Sequence, residues 1–169
     1  MEIKITALDG YSPQIGHLIS MMNYVRKTTL DAVHGLGVEQ LDYLPHKKGN
    51  SIGALLWHMA AVEFGFQVEL FDGRKPTKQE ADEWGAAFDL GEQGRQVIKG
   101  HSLEFYLEKL AHVRKRTLAE FKKKDDDWLY QNVGWGDIPS NPYFIWFHVF
   151  EDEINHRGQI RVIRNMQAV

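Results

Sequence analysis

The chain has 169 residues, 43% of them apolar, no cysteine and a formal charge of −3. That is the length of one domain, residues 1–169, with a core of its own. A pI near 6.2 leaves no broad basic surface for a phosphate backbone, which argues against nucleic acid as a partner. Without cysteine there are no disulfides, no catalytic thiolate and no Cys-based zinc site, so any metal must be held by His, Asp or Glu.

The opening MEIKITALDGYSP lacks the apolar run of a signal peptide. No later stretch approaches the roughly 20 apolar residues that cross a bilayer. The expectation is a cytoplasmic protein with no membrane partner.

Helical periodicity predicts four long helices, at roughly residues 12–34, 50–72, 102–124 and 141–166. The first repeats apolar residues from Ile15 through Leu18, Ile19, Met22 and Val25 to Leu30 and Val33, then runs into Gly35, a helix-stop signal. Asn50 or Ser51 caps the second, which is apolar on nearly every side from Ile52 to Leu70 and is therefore expected to be the most buried. Between 73 and 101 the composition turns to glycine and charge, which reads as a long crossover. Thr77 and Glu80 have capping-box spacing and predict a short helix there.

The third helix opens at Ser102, carries Tyr106, Leu110, Val113 and Phe121 on one side, and is expected to hold Lys122 to Lys124 in its last turn, where cations suit the dipole. Asn141 followed by Pro142 starts the fourth. These elements predict an all-α four-helix bundle. The long crossover lets the second and third helices run parallel.

The fourth helix carries the chemical signal. Its apolar seam runs Ile145, Val149, 152, 156, Ile160 and Ile163, and at 152 and 156 it holds Asp and His where a bundle interior takes Leu or Ile. A carboxylate there is costly unless paired or metal-bound, and a spacing of four places both groups on one face.

His58 is a solitary imidazole in the most apolar helix. Together, His58, Asp152 and His156 predict one divalent metal ion with coordination positions open to water or substrate. His148, one turn before Asp152, is a fourth ligand, a partner of the ligands, or a proton acceptor at the mouth of the site, and is taken as the candidate catalytic residue. Gly158 is expected to let another backbone approach and Gln159 to line the pocket. Glu153 and Arg157 should face away from the seam as structural or surface residues. A di-iron site fails on ligand count, and the zincin, Walker, G-x-S-x-G and dinucleotide motifs are absent.

The segments SIGALLWHMAAVE and HVFEDEINHRGQIRVIRNM resemble the two signature regions of the DinB/YfiT-like superfamily. The resemblance implies a bundle of up-down-down-up connectivity binding a metal through His58, Asp152 and His156. Many such proteins have histidine where Asp152 stands, while the similar mycothiol-dependent maleylpyruvate isomerases use a carboxylate. A harder oxygen ligand widens the choice from zinc or nickel to manganese or iron.

The implied function is a metal-dependent S-transferase joining a small-molecule thiol, of the bacillithiol or mycothiol kind, to an electrophilic substrate. The alternatives are metal-assisted hydrolysis and a non-enzymatic metal-binding stress-response module. A homodimer is expected.

Overall fold

The computed structural model describes residues 4–167. Its long helices are α1 (Pro13–Val33), α3 (Ile52–Leu70), α6 (Leu103–Phe121) and α7 (Pro142–Met166). Shorter helices lie between them: α2 (Val38–Asp42), α4 (Lys78–Asp89) and α5 (Gly91–Val97). A 3-10 turn at Asp127–Tyr130 and an antiparallel hairpin of β1 (Val133–Trp135) and β2 (Ile138–Ser140) complete the chain.

The caps explain where the helices begin. Ser51 accepts a hydrogen bond from the Ala54 N–H at 3.1 Å, and Asn141 accepts one from Phe144 at 2.8 Å. Thr77 and Glu80 close the reciprocal box that starts α4. One sequence expectation shifts: α6 ends at Phe121, so Lys122 to Lys124 lie at and beyond its C-cap. There Lys122 covers the ring of Tyr11 and Lys124 that of Trp128.

Paired contacts give the helix directions. Gly53 lies against Tyr106 and Glu63 against Arg114, so α3 and α6 are parallel. Arg26 meets Glu153, and Ala32 meets Arg164, so α1 and α7 are parallel. His58 meets His156 while Phe66 meets His148, so α3 and α7 run antiparallel. The bundle is all-α and up-down-down-up, and the 71–102 connection is the crossover.

The core is two apolar clusters with charge between them. One gathers Leu55, Leu56, Tyr106, Leu110 and Ile160; the other gathers Leu18, Met22, Phe121, Trp146 and Phe150. At mid-bundle each long helix contributes one buried charge: Arg26, Glu63, Arg114 and Glu153. Arg26 donates to Glu153 at 2.9 and 3.1 Å and to Glu63 at 3.2 Å, and Arg114 donates to Glu63 at 2.8 and 3.1 Å. Thr117 adds a 2.7 Å bond to Glu63, and the Leu110 and Met22 carbonyls take remaining guanidinium protons.

Glu153 is thus not at the surface: it is 1% exposed and lies deeper than Asp152 or His156. The physical reason is that α7 packs on α1 as well as α3. Its buried arc therefore includes Trp146, Phe150 and Glu153 beside the seam read from sequence.

Candidate functional site

His58 sits in the second turn of α3, and Asp152 and His156 sit one turn apart on the facing stretch of α7. The antiparallel crossing brings one ligand atom from each to within 4.8 Å of the others. Asp152 Oδ2 is 3.7 Å from His58 Nε2, Asp152 Oδ1 is 3.2 Å from His156 Nε2, and the two imidazoles meet edge-on at 4.8 Å. Ligands about 2.1 Å from a tetrahedral ion lie about 3.4 Å from each other. The observed separations bracket that figure.

Two further observations fit a metal. The Ala87 carbonyl in α4 accepts the His58 Nδ1 proton at 2.9 Å, which leaves Nε2 as the basic nitrogen facing Asp152. Asp152 Oδ2 is buried with no hydrogen-bond partner in the protein, a costly state that a cation relieves.

Electrostatics favour the ligating forms. Burial lowers the His58 pKa, partly opposed by Asp152, so the imidazole stays neutral to more acid pH than usual. Burial alone would raise the Asp152 carboxyl, but the hydrogen bond from His156 and the nearby His156, His58 and His148 hold it below its ordinary value.

His148 lies outside this group of three. Its Nδ1 donates to Glu151 at 3.0 Å, and its ring is covered edge-on by Trp135 at 4.6 Å and approached by Phe66 at 6.4 Å. It is near enough to act on the Asp152 charge, so it stands at the rim of the site.

Gly158 departs from expectation, since nothing comes within 4 Å of the position its Cβ would take. Both Gly158 and Gln159 are exposed and border a separate cleft formed with Pro45 to Asn50. Arg157 is half-buried and reaches Thr28 on α1, a structural contact.

Sequence reading missed the surroundings of the three ligands. Ala87 and Phe88 come from α4, Phe66 from α3, and Trp135 from the hairpin. The Thr77–Glu80 box announced α4, but nothing local announced that it folds back against α3.

A DinB-like protein from Bacillus cereus ATCC 10987 has a TM-score of 0.69 at 14% identity, over 90% of this chain and 91% of that one. A conserved protein from Enterococcus faecalis gives 0.67 at 15%, covering 87% and 92%. An uncharacterised protein from Escherichia coli UTI89 gives 0.64 at 14%, covering 94% and 97%. At these identities the likeness is one of fold. No curated protein matches. The family model described as mycothiol-S-transferase matches residues 17–168, nearly the whole bundle with all three candidate ligands, and the chain belongs to that family.

Proposed function

We propose that the protein is a metal-dependent S-transferase that joins a low-molecular-weight thiol to an electrophile. The observation that carries this reading is the convergence of His58, Asp152 and His156 at the unpartnered Asp152 Oδ2, in a chain of the mycothiol-S-transferase family. Two imidazoles and a carboxylate suit zinc or nickel and also accept manganese or iron. An ion held there supplies Lewis acidity that lowers the pKa of an incoming thiol.

The protein's own groups do the rest. With its Nδ1 proton on Glu151, His148 has Nε2 as its basic nitrogen, able to take the thiol proton. The sulfur bonds to the electrophilic carbon, and the leaving group departs with its electron pair. Phe66 and Trp135 flank His148 and limit water at that side. The absence of cysteine fits a thiol that arrives from outside, and the reducing cytoplasm is where such thiols are abundant.

Conjugation of monochlorobimane, assayed with mycothiol, bacillithiol, glutathione and cysteine, tests the reading. A chelator-sensitive rate with at least one thiol is expected. His148→Ala should lower kcat about a hundredfold while metal content and KM change little. No thiol-dependent rate above the uncatalysed one with any of the four would overturn the proposal and leave a metal-stabilised module.

A further inference from the structure

A cleft of about 750 Å³ opens between α3 and α4, within the size range of small-molecule sites. Its walls are Ala61, Phe64, Phe66, Trp84 and Phe88. Phe64 and Trp84 stack at 4.8 Å with an interplanar angle of 12°, so one wall is a preformed aromatic surface. Two walls are shared with the candidate centre. Phe88 stands 6.4 Å from the His58 ring and, although a large apolar side chain, is 47% exposed; Phe66 faces His148.

The charges at the rim select the kind of occupant. Arg74 and Lys75 are outnumbered by Glu69, Glu80 and Asp89. Arg74 is already engaged by Glu80 at 2.7 and 2.8 Å and by Asp72 at 3.3 Å. That leaves Lys75 as the rim cation beside Glu69 and Asp89, and the aromatic walls favour a planar apolar group.

We propose that the α3–α4 cleft binds a neutral aromatic group of the electrophilic co-substrate and presents its reactive carbon past Phe88 to the face formed by His58, Asp152 and His156. The role in catalysis rests on the thiol-transfer reading; the binding does not.

Gly85 makes the cleft testable by itself. It lines the cleft within helix α4, and the position of an added Cβ has nothing within 4 Å, so a side chain can be introduced there without a clash. Replacing glycine inside a helix also favours the helix. Ala81, one turn earlier on the same face, gives a second blocking position.

Binding of N-phenyl-1-naphthylamine, a neutral fluorescent probe, and of its anionic relative 1-anilinonaphthalene-8-sulfonate is measured on the metal-loaded, untagged protein. Expected is saturable binding of the neutral probe, tighter than that of the anionic one. Gly85→Leu or Ala81→Leu should weaken neutral-probe binding by about tenfold or more, with metal content and circular dichroism as in the wild type.

Absence of saturable binding would overturn the proposal, as would undiminished binding in both folded variants. Preference for the anionic probe would overturn the assignment of a neutral group. Failure of the conjugation assay alongside the expected probe results would remove the thiol-transfer reading and leave the cleft standing as a binding site.

Discussion

Asp152 and Glu153 are neighbours on α7, yet their side chains leave the helix about 100° apart and meet different helices. Asp152 turns to His58 across the α3 contact; Glu153 turns into the core to meet Arg26. The bond to Arg26 fixes the rotational setting of α7, and with it the direction of Asp152. Sequence reading found Asp152 and His156 because a polar pair interrupts an apolar seam. Glu153, expected as a structural or surface residue, is a structural one: Arg26 lies 127 residues away on α1 and Arg114, 3.7 Å from it, lies on α6, pairings no local pattern reveals. Tyr106 and Gly53 show a second long-range fit: a Cβ at Gly53 would lie 2.5 Å from the Tyr106 hydroxyl, which is itself buried. Gly53→Ala should therefore cost about 1–3 kcal/mol despite its better helix propensity. Equilibrium urea unfolding checks this, and a stabilised variant would mean that Tyr106 moves aside freely.

At the scale of elements, the four long helices were legible within a few residues because periodicity runs through each and caps mark the starts of α3 and α7. The short α2 and α5 and the β1–β2 hairpin were not, since pieces of three to seven residues carry too little periodicity. That matters for function, because the hairpin supplies Trp135 over His148 and α4 supplies the carbonyl that orients His58. The start of α3 sets the height of His58 in the bundle, and Ser51 is its cap. Ser51→Ala should lower stability by about 1 kcal/mol, read as a shift in the urea midpoint with unchanged slope. A slope change would instead indicate a broader loosening of the bundle.

Across the whole molecule, the charge cluster ties α1, α3, α6 and α7 together and makes stability depend on acid. Burial would raise the Glu63 carboxyl, but Arg114 and Arg26 hold it below its ordinary value of 4.5. A carboxyl depressed in the folded state stabilises fully above its unfolded pKa, and that contribution is lost as the pH falls through the folded value. His58 acts with the same sign at higher pH, since burial puts its folded pKa below 6.5 and the unfolded chain takes up the proton first. The urea midpoint of metal-free protein should decline below about pH 6.5 and again below about 4.5. Glu63→Gln should be less stable at neutral pH and should weaken the second decline. A midpoint flat down to pH 4 would show that neither group is coupled to folding.

Metal content of protein purified without a histidine tag, set beside Asp152→Ala and His156→Ala, decides whether these residues hold an ion. About one divalent ion per chain is expected in the native protein. Both variants should lose most of it while keeping helical circular dichroism, because the two side chains lie at the half-buried mouth and not in the core. Undiminished metal in both folded variants would contradict the three-residue centre.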